Sequence, residues 1–212
     1  MGKTDNHSPH AKLDLRRYFL RRYHTDPPHV LDCCQGGGIM WGTLRKEFPV
    51  ASYWGLDLKP KKGRLKLDSV RVLQQPGWPQ DVVDIDTYGS PWKHWMAMLP
   101  NVRRPTTVFL TIGNQNQTAT SPNSHGADVL FHFPPSTPPT LAGVVARRFD
   151  VTRGLTRSCE HGLILVEAVE AVSTGNARYV GVHLVPQEAA AASAVTPAAP
   201  EPPIAAKEQP NV

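Results

Sequence analysis

Apolar positions along the first half of the chain fall into short blocks divided by glycine, proline and acids. Residues 12–23 place Leu13, Tyr18, Phe19, Arg22 and Tyr23 at roughly helical spacing, and Asp26-Pro27-Pro28 ends the run, which predicts an opening helix. His29-Val30-Leu31-Asp32-Cys33 has the length and composition of a buried strand, and Gly36-Gly37-Gly38 separates it from residues 39–48, which return to helical spacing. Residues 52–56, 64–67 and 81–85 are further strand-like runs, followed by Asp57, by Asp68 and by Asp86. Residues 106–112, rich in β-branched side chains, give a fifth strand.

Strands alternating with helices predict βαβ units. The expected fold is α/β: a Rossmann-like, doubly wound, mostly parallel sheet covered on both faces, a three-layer αβα sandwich. Residues 141–149 read as another helix. Residues 162–171 and 177–185 are strand runs flanking Ser173-Thr174-Gly175-Asn176, which predicts a C-terminal antiparallel hairpin. Residues 187–212 are rich in Ala, Pro and Glu and contain no aromatic residue, so a disordered tail is expected there. With residues 1–11 as a flexible N-terminus, one domain spans residues 12–186. The polar, proline-rich stretch 113–140 is expected to be a loop on the substrate side.

Composition narrows the class. Hydrophobic residues make up 40% of the 212, enough for a packed core, and no apolar run approaches the 18 or more residues of a membrane-spanning helix. Residues 1–15 lack the apolar segment of a secretory signal, and Asn6 stands where a myristoylation signal has Ser or Thr. Cys33 and Cys34 are neighbours and Cys159 is isolated, a pattern of neither disulfides nor a zinc knuckle, so a reducing, cytoplasmic compartment is expected. Net charge is +5, and because residues from 186 onward hold one Lys against three Glu, the rest of the chain carries +7. Such a body favours an anionic partner.

The glycine turn after the first strand separates three cofactor chemistries. A nucleoside-triphosphate loop needs Lys-Ser or Lys-Thr after its last glycine, and here Ile39-Met40 follows. A dinucleotide fingerprint needs a third glycine where the helix packs on the pyrophosphate, and Trp41 occupies that place. What remains is Asp32-x-x-x-Gly36-x-Gly38, an acid at a strand end with glycines that let an amino-acid moiety and a nucleoside approach the backbone. These residues resemble the first motif of the class I S-adenosylmethionine-dependent methyltransferases, with Cys34 in place of the first glycine. The resemblance implies S-adenosyl-L-methionine as cofactor, held by Asp32, Cys34, Gly36 and Gly38, with Asp57 on the ribose hydroxyls and Asp68 near the adenine amino group.

Asp84-Ile85-Asp86-Thr87-Tyr88-Gly89-Ser90-Pro91 closes the fourth strand. It resembles the Asp-Pro-Pro-Tyr motif of amino-methyltransferases, and more closely the Asp-Pro-Phe-Gly-Ser-Pro string of tRNA guanine-N2 methyltransferases, with Thr87 where that family has proline. An exocyclic amine on a base is a weak nucleophile because its lone pair is delocalised, so an acceptor must hold its protons and aim the lone pair at the methyl donor. Asp86 suits that role, a carbonyl of the Thr87-Tyr88 turn is the second acceptor, and Tyr88 offers a face on which an extruded base stacks. Asp84 shares a strand face with Asp86 by the period of two and is the alternative acid.

Basic clusters at Arg16, Arg17, Arg21 and Arg22 and at Lys59, Lys61, Lys62 and Arg64 are the expected contacts to nucleic-acid phosphates. His125 and His132 have no third ligand at a recognised spacing, so no metal is expected. The reading is therefore a methyltransferase acting on an exocyclic amino nitrogen of a base in RNA or DNA. A methyltransferase for a small-molecule or protein amine and a noncatalytic nucleic-acid-binding module on the same fold are the alternatives.

Overall fold

The computed structural model describes residues 9–59, 65–87, 90–112, 155–171 and 178–194. Its seven strands are β1 (His29–Asp32), β2 (Ser52–Asp57), β3 (Leu65–Lys66), β4 (Val82–Ile85), β5 (Thr106–Ile112), β6 (Leu163–Ala171) and β7 (Arg178–Pro186). They form one sheet in the order β3-β2-β1-β4-β5-β7-β6. The first five pair in parallel, and β7 runs antiparallel between β5 and β6. The antiparallel pairing of β6 with β7 is as expected, while the anticipated turn 173–176 lies outside the described residues. Because β1 is flanked by β2 on one side and β4 on the other, the chain reverses its direction of progress there. In open α/β sheets ligands bind outside the strand tips at such a reversal.

Among the described residues five α-helices accompany the sheet: α1 (Pro9–Tyr23), α2 (Ile39–Leu44), α3 (Ser69–Leu73), α4 (Trp92–Met98) and α5 (Gln187–Ala194). Strands β4 and β5 are buried along their whole length, as is usual where helices cover both faces of a sheet. On one face Leu31, Leu56, Val83, Ile85 and Leu110 pack with Leu73 of α3 and with Trp95 and Met98 of α4. On the other, Val30, Val82 and Phe109 pack with Leu15, Phe19 and Leu20 of α1 and with Trp41 and Leu44 of α2. The result is the three-layer sandwich that the pattern predicts.

Helix α2 is shorter than the expected 39–48, ending at Leu44, and the chain continues through Arg45 and Phe48 by local hydrogen bonds back to Trp41 and Leu44. Helix α1 is turned differently from the expectation. Its buried face is Lys12, Leu15, Arg16, Tyr18, Phe19 and Leu20, while Arg22 is exposed. Residues 187–194 also depart from the disordered-tail reading: they form α5, an Ala-rich segment of high helix propensity that continues directly from β7. The rest of the tail, the loop 113–140 and the helix expected over 141–149 lie outside the described residues. Among the described residues no helix is long and apolar enough to cross a membrane.

Candidate functional site

The turn after β1 is tied to both neighbouring strands. The Cys33 N–H donates to the Asp84 carbonyl of β4 at 2.8 Å, and the Gln35 N–H to the Leu56 carbonyl of β2, also at 2.8 Å. Gly36 (φ 49°) and Gly38 (φ 67°) take left-handed backbone conformations, which favour glycine. Cys34 does not: no non-glycine residue has a positive φ among those described, so the chain accepts a side chain at the family's first glycine without backbone strain. A Cβ added at Gly36 would meet only the Cys34 carbonyl, at 3.8 Å, so the space above this glycine is open among the described residues.

Three strand tips bring acids to this turn. Asp57 at the end of β2 accepts the Gly36 N–H at 3.0 Å and, through its other oxygen, the Lys59 N–H at 2.8 Å. Asp32, buried at the end of β1, accepts the Tyr53 hydroxyl at 2.8 Å and the Cys34 N–H at 3.3 Å. Burial and the neighbouring Asp84 carboxylate push the Asp32 carboxyl up to about 7, against the opposing pull of the Tyr53 hydrogen bond. Cys34 sits where these charges meet: burial and then Asp32, Asp86, Asp57 and Asp84 hold its thiol far above the ordinary range. The carboxylates of β1, β2 and β4 thus share one electrostatic neighbourhood. The thiol is kept protonated and unreactive, in keeping with a packing role.

Strand alternation puts Val30, Asp32, Val82 and Asp84 on the face covered by α1 and α2, and two helical side chains take up Asp84. Arg16 clasps it with Nε at 2.7 Å and Nη2 at 2.6 Å, and the Trp41 indole N–H donates to it at 2.7 Å. Both partners of this ion pair are buried. Asp84 is therefore a structural anion with its lone pairs engaged, which removes it as the alternative acid. Arg16 is likewise removed from the phosphate-binding cluster. Burial alone would lower its pKa, but Asp84, Asp86 and Asp32 outweigh this and raise it.

One turn earlier on α1, Lys12 reaches Asp86, donating Nζ to both carboxylate oxygens at 2.6 and 2.8 Å. The Lys12 side chain is 5% exposed and that of Asp86 23%. Burial pushes the Asp86 carboxyl up, yet the Lys12 ammonium and the Arg16 guanidinium, with a hydrogen bond from Thr111, hold it below the usual carboxylate range. Thr87 is buried, its hydroxyl 3.5 Å from the Thr111 carbonyl. Tyr88 and Gly89 lie outside the described residues.

Asp68 has a local role. Its carboxylate accepts the Val70 N–H at 3.0 Å and so caps α3. Of the first basic cluster, Arg17 is engaged by Glu47 and Asp14, Arg22 by Glu167, and Arg21 lies over the Phe48 ring. Lys59 is exposed, and Lys61, Lys62 and Arg64 lie outside the described residues. His125 and His132 lie outside them too; among the described residues no three His, Cys, Asp or Glu side chains form a metal-binding group.

Sequence reasoning missed Lys12, Arg16, Trp41 and Tyr53 as parts of this site. For the first two a signal existed. Lys12, Arg16 and Leu20 follow at i, i+4 and i+8, so two cations lie on the stripe that also carries Phe19. A charge on an apolar stripe points to a buried counter-ion.

No protein-family model matches the sequence, and no curated protein does. Solved structures do. The complex of Trm1 from Pyrococcus horikoshii with S-adenosyl-L-methionine is similar at TM-score 0.58 and 16% identity, over 88% of this chain and 58% of that one. The plantazolicin methyltransferase BamL, solved with a triazolic desmethylPZN analog and SAH, is similar at TM-score 0.53 and 9% identity, over 85% and 86% of the two chains. The putative methyltransferase YhhF of Escherichia coli gives TM-score 0.50 and 13% identity, over 88% and 89%. This chain has the class I S-adenosylmethionine-dependent methyltransferase fold. It spans 58% of the length of the Pyrococcus protein.

Proposed function

We propose that this chain transfers a methyl group from S-adenosyl-L-methionine to an exocyclic amino nitrogen of a nucleic-acid base. The observation that carries the reading is the placement of Asp86, partly open at the tip of β4, in the same electrostatic neighbourhood as the glycine turn and the acids of β1 and β2.

The residues fit such a cofactor. Gly36 leaves room beside the backbone, Asp57 presents a carboxylate at the rim for ribose hydroxyls, and Asp32, its carboxyl raised to about 7, is poised to ionise under a cationic ligand. When bound, S-adenosylmethionine supplies a methyl carbon on a positively charged sulfur. The protein's part is to hold the acceptor. Asp86, kept ionised by Lys12, accepts an N–H of the amine and turns its lone pair toward the methyl. Once the nitrogen carries the methyl it holds a surplus proton, which would leave through Asp86 to water. Rate enhancement on this scheme is mainly proximity and orientation.

The basic body of the chain and the resemblance of residues 84–91 to the guanine-N2 enzymes support a nucleic-acid acceptor. The test uses cofactor labelled in the methyl group, with RNA and DNA as acceptors. The wild-type protein should label one of them, and Asp86→Ala should lose at least about a hundredfold in rate while binding the cofactor as before. No label in either nucleic acid, where a control enzyme labels both, overturns the reading. RNA or DNA binding that persists unchanged in Asp86→Ala, with no turnover by either protein, would make the chain a binding module. Asp57→Ala, titrated calorimetrically with the cofactor, should weaken binding and so tests the cofactor assignment separately.

A further inference from the structure

The acid assigned to the acceptor amine does not stand alone. Lys12 occupies it from α1, 74 residues away in sequence, with both Nζ–Oδ distances under 3 Å. The ammonium is nearly sealed from solvent, and Arg16 donates Nη1 to the backbone carbonyl of Lys12 at 3.0 Å. The Tyr179 ring of β7 lies 5.0 Å from the ammonium. The geometry therefore pins a compensating positive charge to Asp86.

This changes what the acid can recognise. A carboxylate has about four lone-pair sites, so one already holding an ammonium still accepts an N–H from a neutral donor. Its pull on a further cation is much weakened, because the ion pair has no net charge, a second ammonium would be placed close to the first, and the neighbouring Asp84 is itself taken up by Arg16. Amines attached to aromatic rings are uncharged at neutral pH. Aliphatic amines, such as lysine side chains and polyamines, are ammonium ions there. We propose that Lys12 is a specificity-determining positioning residue which, by neutralising Asp86, admits uncharged ring-bound amines to the acceptor site and excludes aliphatic ammonium acceptors. This inference rests on the reading of Asp86 as the group that receives the acceptor amine.

Two independent measurements test it. The first is binding, and needs no turnover. With the protein saturated by S-adenosylhomocysteine, an aliphatic diamine is titrated calorimetrically. Wild type should show no measurable site, Lys12→Met should gain affinity by at least about tenfold, Lys12→Arg should behave as wild type, and Lys12→Met with Asp86→Asn should lose the gain. The second is acceptor choice, read as labelled methyl entering RNA or DNA against polylysine. Wild type should discriminate for nucleic acid, and Lys12→Met should narrow the ratio by at least about tenfold. Diamine binding by wild type that disappears in Asp86→Asn overturns the inference even if Lys12→Met does not fold. So does a Lys12→Met variant that folds and gains nothing. If Lys12→Met gains diamine binding through Asp86 but no protein in the series transfers methyl to any acceptor, the charge screen stands and the methyltransferase reading fails.

Discussion

The hydroxyl of Tyr53, on β2, donates to the buried carboxylate of Asp32, at the tip of β1, across 2.8 Å. It is one of few groups favouring the charged form of an acid that burial and Asp84 otherwise keep protonated up to about 7. Tyr53 is itself positioned by the Gln35 amide, which donates to its oxygen at 3.2 Å, and by Arg45, whose guanidinium lies 4.3 Å from the ring centroid. The protonation state of Asp32 is therefore set by its burial, by Asp84 of β4 and by Tyr53 of β2.

On the proposed reading a cationic cofactor above this turn would favour ionised Asp32. Affinity for S-adenosylmethionine should rise between about pH 6 and about pH 8, with proton release on binding at the lower end. S-adenosylhomocysteine, which lacks the sulfonium charge, should show a smaller change. Tyr53→Phe removes a bond that favours the ionised acid and should move the midpoint to higher pH. Titration calorimetry in buffers of different ionisation enthalpy reads both effects, and a flat profile for wild type would refute the coupling.

The same carboxyl makes a stability prediction with the opposite sign of dependence. In the unfolded chain an aspartate ionises near about 3.9, whereas folded Asp32 keeps its proton up to about 7. Between these values the folded state holds the extra proton, so the contribution of Asp32 to stability falls as pH rises through this window and is constant above it. Asp32→Asn should therefore melt higher than wild type at about pH 8, with the difference shrinking toward about pH 4. A difference that does not vary with pH would show that burial of the charge is not its cause.

Arg16→Met leaves the Asp84 carboxyl buried with the Trp41 N–H as its one remaining side-chain donor among the described residues. Breaking a buried pair from one side costs about 3–5 kcal/mol, a large fraction of a domain's stability. The expected result is a steep loss of stability in urea, with Arg16→Met and Asp84→Leu together recovering part of it. Equal stability of Arg16→Met and wild type would mean that the pair is not what holds α1 against β4.

Gly181 of β7 lies beneath α1. A methyl group there would stand 2.4 Å from Cε2 of the fully buried Phe19, whose ring packs edge-on against Tyr18 and Phe109. Gly181→Ala should destabilise the fold by about 1–3 kcal/mol through overpacking. Gly42→Ala, where an added Cβ meets nothing within 4 Å, should be tolerated. Thermal melts of the two variants compare the positions directly.

Strands β1 to β5, the hairpin and the glycine turn were legible because each rests on local chemistry. Alternation and β-branched runs mark strands, positive φ at Gly36 and Gly38 demands glycine, and an acid at a strand tip is visible as the residue that ends an apolar run. Asp32, Asp57 and Asp86 end or follow β1, β2 and β4, strands that the folded sheet sets side by side. The roles of the charged residues on α1 did not follow. Lys12, Arg16 and Arg21 are of one chemical type in the sequence, yet the first two are buried ion-pair partners and the third is exposed. A cation looks like a solvated surface group until its counter-ion is located, and these counter-ions lie 68 and 74 positions away. The path of α1 across the sheet decided that Asp84 would be a structural anion and Asp86 a screened one, because only tertiary packing sets which charges leave water together.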